Sequence, residues 1–162
     1  MTWSDARSYC EKTEGHLATF ESPQDAVEIS EKIYEVSEKV TSDFLGGKTK
    51  AEFGLNRRYW IGLTDIGTGE GKWAWAGKGT PLKYKSMWYA GQPDHIDERG
   101  KYIGRAEHCI GLWNPIFHKG NRRHSFADME CDLKYYFICE KDDQKIQAQK
   151  EYAGRGNFGA KS

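Results

Sequence analysis

Four cysteines, at positions 10, 109, 131 and 139, constrain this 162-residue chain more than any other feature of its sequence. No two of them form a C-x-x-C pair, which argues against a zinc ribbon or a thioredoxin-like motif. An even number of widely spaced cysteines favours two disulfides and an oxidising compartment. Four buried free thiols in a cytosolic protein are the alternative. Spacing alone leaves all three possible pairings of four cysteines open.

The composition favours a folded domain that does not bind nucleic acid. Lys and Arg total 24, as do Asp and Glu, so the chain lacks the excess of basic residues that is typical of nucleic-acid-binding proteins. Hydrophobic residues are only 38%, but 6 Trp, 9 Tyr and 7 Phe can bury a large area. No apolar run approaches the roughly 20 residues of a membrane span, so none is predicted.

Local signals predict two helices near the start of the chain. The first begins at the capping residue Thr2 and stops before Gly15. A short strand is predicted over residues 17–20. The second helix begins at Ser22, which is followed by a proline, and its apolar residues recur at spacings of three and four as far as Val40.

The rest of the chain predicts strands and loops. Strands are predicted over residues 59–63, 73–75, 110–113 and 135–139. Residues 76–107 are predicted to form long loops, which in a compact domain are usually functional. Residues 41–58 are interpreted as a mobile insertion, and the polar, Gly-rich residues 142–162 as a flexible tail. Helices followed by strands predict an α+β domain.

A set of motifs in a fixed order resembles a known family. The motifs are Trp60-Ile61-Gly62-Leu63, Glu70-Gly71-Lys72-Trp73, Gln92-Pro93-Asp94 and Phe137-Ile138-Cys139-Glu140, together with Cys109 and Cys131. Their combination resembles the C-type lectin-like domain over residues 1–141. The resemblance implies small antiparallel sheets, two flanking helices and a long loop for calcium and ligand. It also implies the disulfides Cys10–Cys139 and Cys109–Cys131.

The resemblance also suggests that the chain is truncated. Similar domains begin with a strand before their first helix, and this strand is missing here, as is a secretory signal. We therefore expect a truncated product or an incomplete gene model whose native form is secreted or extracellular. The sheet edge beside the last strand is expected to lack a partner.

The resemblance implies one calcium site, with Gln92, Asp94, Glu107 and Asp128 as its ligands. Calcium takes about six to eight oxygen ligands, and a cis Pro93 would aim both its neighbours at one point. Ala127 stands where the family has an asparagine, so one oxygen ligand is lost and the predicted site is weak. The alternative is that these side chains are solvated carboxylates of a site that has lost its ion.

A second, accessory calcium site is expected to be empty. Asp65 and Glu70 match two of its carboxylates, but His95 and His108 stand where acidic residues are usual. Hard cations prefer oxygen to imidazole nitrogen. A zinc site that uses the two histidines and neighbouring acids is a separate hypothesis.

The loop also suggests a class of ligand. The order Gln92-Pro93-Asp94 resembles members that prefer galactose and N-acetylgalactosamine, and His95 follows where an aromatic platform is common. The segment 114–125 carries Lys119, Arg122 and Arg123, which either contact an anionic ligand or form a solvated turn.

The resemblance therefore implies a calcium-dependent lectin, galactose-leaning, that recognises surfaces in innate immunity. The alternative is a calcium-independent domain that binds a protein or another non-sugar ligand, which the loss of asparagine at position 127 favours. An enzyme is not expected, because neither a G-x-S-x-G elbow nor an H-E-x-x-H helix is present.

Overall fold

The computed structural model describes residues 1–38, 58–93, 107–114 and 123–141, and the structural statements below concern these residues. They form helices and strands in the order α1 (Trp3–Lys12), β1 (Gly15–Leu17), α2 (Pro23–Glu38), β2 (Tyr59–Thr64), β3 (Ala74–Trp75), β4 (Thr80–Pro81), β5 (Cys109–Trp113), β6 (Ser125–Met129), β7 (Tyr136–Phe137) and β8 (Cys139–Lys141). The predicted tail, and the predicted insertion up to residue 57, lie outside this part of the chain. No helix within it has the length and apolar character needed to cross a membrane.

Both predicted helices are present, and local capping explains where they begin. The Thr2 hydroxyl accepts a hydrogen bond of 3.3 Å from the backbone N–H of Asp5 at the start of α1. At the start of α2, the Ser22 N–H donates to the Asp25 carboxylate at 3.2 Å, and the Asp25 N–H donates to the Ser22 carbonyl. Val40, the predicted end of the apolar stripe, lies outside the described residues.

The strands form two sheets around the family motif Trp60-Ile61-Gly62-Leu63. In the larger sheet the strand order is β4-β3-β2-β5-β6, with β7 paired in parallel to β2. The smaller sheet pairs β1 with β8 in antiparallel register. The other pairings between these named strands are antiparallel. This arrangement is the predicted α+β architecture, with β2 at the centre of the larger sheet.

The structure corrects the predicted strand over residues 135–139. The chain changes sheets at Ile138, whose N–H donates to Trp60 O at 3.1 Å while its carbonyl accepts from Ala18 N at 2.9 Å. The segment is therefore divided into β7, which pairs with β2, and β8, which pairs with β1. The apolar run alone could not reveal this division, because both halves have strand-like composition.

Three further differences between the prediction and the structure concern short strands. The first strand is residues 15–17 instead of 17–20, because Ala18 bonds across to Ile138 and Gly62 instead of continuing the pairing with β8. The predicted loop 76–107 contains the short strand β4, which pairs with β3. Strand β6 was not predicted, since Ser125 and Asp128 interrupt its apolar pattern.

Two buried clusters lie on the two sides of the larger sheet. One packs strand residues against the 18–29 region, and its largest fully buried side chain is Phe126. The other packs α1 against the sheet through Trp3, Ala6, Cys10 and Trp60. The Trp3 indole N–H donates to Ile61 O at 2.8 Å, so its only polar group is satisfied in the core.

Two disulfides hold these layers together. Cys10 in α1 is bonded to Cys139 in β8, and Cys109 in β5 is bonded to Cys131 just beyond β6. The Cα–Cα distances are 5.4 and 5.2 Å, within the normal range. The pairs are those that the resemblance implied. At the front of the chain, Met1 exchanges backbone hydrogen bonds with Tyr135 in both directions.

Replacing Gly62 by alanine is expected to lower the free energy of unfolding by about 1–3 kcal/mol. A Cβ atom there would lie 2.7 Å from Leu17 O and 3.1 Å from Ala18 O. Both are backbone atoms, so the chain itself would have to move to relieve the overlap. Chemical denaturation of both proteins measures the loss. The control is Gly67→Asn, at a positive φ in open space, which should cost less than about 1 kcal/mol. A Gly62→Ala protein as stable as the parent would contradict the proposed close approach.

Candidate functional site

The pairing of β5 with β6 brings two of the predicted calcium ligands to the C-terminal end of β6. Strand β5 runs antiparallel to β6 and pairs Cys109 with Met129, so Glu107 precedes β5 at this end. On the other side of β6, Trp88 forms a parallel bridge with Phe126, and the chain then runs on to Gln92. Asp128 is two residues beyond Phe126 in the same direction. The strand pairings therefore bring Glu107 to the end of the strand that carries Asp128, and Gln92 follows the Trp88 bridge after a turn that its N–H closes on Tyr89 O.

The two carboxylates of this region are withdrawn from solvent. Glu107 is 4% exposed and Asp128 is 3% exposed. The Oε1 atom of Gln92 and the Oε2 atom of Glu107 are likewise shielded from water. The Gln92–Pro93 peptide bond is cis, as the resemblance implied, and Gln92 N donates to Tyr89 O at 2.8 Å. Carboxylate and amide oxygens are the donors that calcium prefers, so the chemistry of this set fits the ion.

The described residues contain only part of the predicted ligand set. Asp94 and His95 lie outside them, as do Lys119 and Arg122 of the basic segment. Within residues 1–38, 58–93, 107–114 and 123–141, no group of three or more His, Cys, Asp or Glu side chains is placed to hold a metal ion. The four-ligand site, and the zinc hypothesis that needs His95, therefore stay predictions.

Ala127 faces the side of the larger sheet opposite to Phe126. Along β6, Phe126 belongs to one buried cluster while Ala127 and Met129 belong to the other, as alternation along a strand requires. Ala127 is 4% exposed and packs in the cluster that contains Trp60 and Cys109. Its methyl group therefore serves the apolar core, and an asparagine introduced there would bring an amide into that cluster.

The predicted accessory site has a different set of contacts. Asp65 is buried, and its two carboxylate oxygens contact His108 Nδ1 at 2.7 Å and Gly71 N–H at 2.8 Å. Glu70 is exposed. Through these contacts Asp65 connects the 65–71 turn to His108, the residue before Cys109. The donor set, one engaged carboxylate with an imidazole, does not fit a second calcium ion.

The sequence did not reveal the hydrogen bonds that position the segment beginning with Glu107. The Thr64 hydroxyl donates to the His108 carbonyl at 2.6 Å, and the Asp65 N–H donates to the same carbonyl at 3.3 Å. Together with the Asp65–His108 side-chain contact, these bonds hold the segment that begins with Glu107. The only sequence signal was that Thr64 and Asp65 directly follow the motif Trp60-Ile61-Gly62-Leu63.

A second missed feature lies at the entrance to β6. His124 is buried, and its Nδ1 lies 3.2 Å from Ser30 Oγ in α2. The same hydroxyl accepts from His124 N–H at 3.0 Å and donates to Ala26 O at 2.9 Å. Since the one hydroxyl proton goes to Ala26, Nδ1 must be the donor to Ser30. Burial lowers the pKa of His124 to about 4, so the imidazole is neutral at pH 7.

The fold and these motifs define the class of protein. A family model described as the lectin C-type domain matches residues 1–141, and the chain therefore belongs to that family. The family and the relatives named below give no indication of an enzyme.

Particular relatives extend the comparison. Perlucin from Haliotis laevigata is 29% identical over 141 residues, which are 87% of this chain and 70% of perlucin. Hepatic lectin from Gallus gallus is 25% identical over 141 residues, which are 87% of this chain and 50% of that protein. A mouse relative, C-type lectin domain family 4 member F, is 29% identical, and the match covers 86% of this chain but only 19% of the relative.

Solved structures agree with this membership. The human scavenger receptor C-type lectin carbohydrate-recognition domain has a TM-score of 0.60 and 29% identity. The match covers 88% of this chain and 84% of that domain. A trimeric structure of the Kupffer cell receptor Clec4f has a TM-score of 0.56 and 26% identity, over 87% of this chain and 72% of that one.

Proposed function

We propose that this chain is a calcium-dependent lectin domain that binds glycans of the galactose and N-acetylgalactosamine type. The observation that supports the proposal is the pairing of β5 with β6, which brings the segment of Glu107 to the end of the strand that carries Asp128. Glu107 and Asp128 are buried carboxylates and the Gln92 amide oxygen is shielded from solvent, which are the kinds of donor that suit a hard divalent cation. Asp94 is proposed as the fourth ligand.

The roles proposed for the chain's own residues follow from their chemistry. Bound calcium would supply direct coordination for a pair of sugar hydroxyls. Gln92, Asp94, Glu107 and Asp128 would hold the ion and accept or donate hydrogen bonds to those hydroxyls, with His95 beside the sugar ring. The 29% identity to a domain described as a carbohydrate-recognition domain supports a glycan as the ligand. The galactose preference rests on the Gln92-Pro93-Asp94 order.

The proposed setting is extracellular, with recognition of glycan-bearing surfaces in innate immunity. Two disulfides support an oxidising compartment, since such bonds persist mainly in secreted and surface proteins. We also propose that residues 1–141 are the functional unit and that residues 142–162 are a dispensable tail.

One observation favours a second candidate function. Ala127 supplies no oxygen at the position where the resemblance has a ligand, and its methyl group packs in the apolar core. A domain with this substitution could bind a protein or other non-sugar ligand without calcium through the same loop surface. A calorimetric titration of calcium into the metal-free chain, with and without galactose, separates the two candidates.

The calcium-dependent proposal predicts a measurable site that depends on Asp128. Calcium should bind the chain at up to millimolar concentration, and galactose should bind only when calcium is present. Asp128→Asn keeps the shape of the side chain but removes its charge, so calcium affinity should fall at least about tenfold, equivalent to about 1.4 kcal/mol. Calorimetry measures both the affinity and the stoichiometry.

Asp132→Asn is the matched control, since Asp132 is exposed and lies after Cys131. It removes the same charge and should leave calcium binding unchanged. An equal loss in both variants would show a general charge effect instead of a site. If the unmodified chain binds neither calcium nor galactose at millimolar calcium, the calcium-dependent proposal fails and the calcium-independent candidate is favoured.

A further inference from the structure

A cavity of about 530 Å³ opens between the β3–β4 hairpin and the segment that leads to Trp88. Its size falls within the range of about 300–1,000 Å³ that is usual for small-ligand sites. The apolar part of the lining comes from side chains of both segments, namely Trp73, Ala74, Pro81, Leu82, Tyr84 and Trp88. Of the proposed calcium ligands that the structure describes, Gln92, Glu107 and Asp128, none lines it.

The aromatic walls of this cavity are fixed by contacts with the core. The Trp73 and Trp88 rings lie 5.5 Å apart, and Trp88 also packs edge-on against Phe126 at 6.0 Å. The Tyr84 hydroxyl donates to the Phe20 carbonyl at 2.5 Å. The hairpin is closed by Leu82 N–H, which donates to Trp73 O at 3.0 Å. A ligand would therefore meet a largely preformed surface, which lowers the entropic cost of binding.

The rim of the cavity carries positive charge. Lys72 and Lys85 are exposed lining residues. Among the described residues that line the cavity, none is acidic. The nearby Lys78 differs, because its Nζ is paired with Glu21 at 2.7 Å. The two charged residues of the lining, Lys72 and Lys85, are therefore both cations.

We propose that this cavity is a second, calcium-independent site for an anionic oligosaccharide that carries sulfate or uronate groups. Aromatic walls suit the apolar faces of sugar rings, and the lysine rim suits sulfate or carboxylate groups, so one ligand class uses both features. An acidic peptide would use the lysines but would leave the aromatic walls without a matching surface. The site goes beyond the proposed function, because it needs neither calcium nor Asp128.

A titration of the full chain with a heparin-derived oligosaccharide, in EDTA, tests the proposal. The indole N–H signals of Trp73 and Trp88 should shift in NMR spectra, while that of Trp3, bonded to Ile61 O in the opposite cluster, should not. The doubly substituted Lys72→Gln, Lys85→Gln chain should bind at least tenfold more weakly. A desulfated oligosaccharide should bind more weakly to the unmodified chain.

The matched control is the Lys12→Gln, Lys141→Gln chain, which loses the same charge at exposed lysines that do not line the cavity. It should bind within twofold of the unmodified chain. Binding that survives the Lys72 and Lys85 substitutions would overturn the proposal and would point to the basic segment with Lys119, Arg122 and Arg123. Equal binding of a polyglutamate peptide, or no binding in EDTA, would also overturn it. Because calcium is absent throughout, none of these results bears on the calcium site.

Discussion

Replacing Cys10 and Cys139 together by alanine is expected to lower the free energy of unfolding by about 4–5 kcal/mol. The bond joins residues 129 positions apart and so constrains nearly the whole domain in the unfolded state. It also fixes α1 to β8, which in the small sheet pairs with β1. Denaturant unfolding of the parent and the double variant, under the same oxidising conditions, measures the difference.

The second disulfide provides the matched control. Cys109 and Cys131 are 22 residues apart, and the same chain-entropy relation gives about 3 kcal/mol for their loss. Both double variants remove two sulfur atoms, including a fully buried one in each case. The first substitution should therefore cost about 1–2 kcal/mol more than the second. A larger loss from the Cys109–Cys131 variant would mean that local packing outweighs loop length.

Acidification from pH 7 to pH 4 is expected to lower the free energy of unfolding by about 3 kcal/mol through His124. Burial lowers the pKa of His124 to about 4, whereas the unfolded chain keeps an ordinary value of 6.5. Protons therefore bind the unfolded state more readily between these two values. The stability is fully present above pH 6.5 and is lost as pH falls through the folded-state pKa.

The variant His124→Asn separates this effect from general acid denaturation. Asparagine can still donate to Ser30 but does not titrate, so the His124 contribution to the pH dependence should disappear. His16→Asn is the control, because His16 is only partly buried and its ring lies 3.5 Å from the Glu140 carboxylate. Denaturant midpoints measured at several pH values give the slopes. An unchanged slope in His124→Asn would show that another group is responsible.

Short-range signals in the sequence were sufficient for the helices. Thr2 caps α1, and Ser22 and Asp25 bond reciprocally at the start of α2. Such caps lie within three residues of each other, so the sequence alone reveals them. The order of the family motifs was enough to imply the α+β fold, the two disulfide pairs and the cis bond before Pro93, all of which the structure contains.

Contacts between distant segments could not be predicted from the sequence. Ile138 bonds to both Trp60 and Ala18, and this competition between two partners divides one strand-like run into β7 and β8. Asp65 matched a calcium ligand by position, yet its oxygens are engaged by His108 and Gly71. Likewise, the sequence indicated only that Ala127 lacks the oxygen ligand of the family asparagine. The structure shows that Ala127 packs in the apolar core.

The amino-acid sequence by itself therefore determined the family, the capped helices and the identity of the candidate ligands, because each depends on residue type at short or fixed spacing. Only the tertiary structure decided which side chains share a surface. The end of β6 brings together segments far apart in the chain, and the cavity beside Trp88 is formed within residues 68–88 by the folding of the β3–β4 hairpin against the segment that follows it. The geometry of both depends on strand register and packing, because a register shift of one residue moves each side chain of a strand to the opposite face of the sheet.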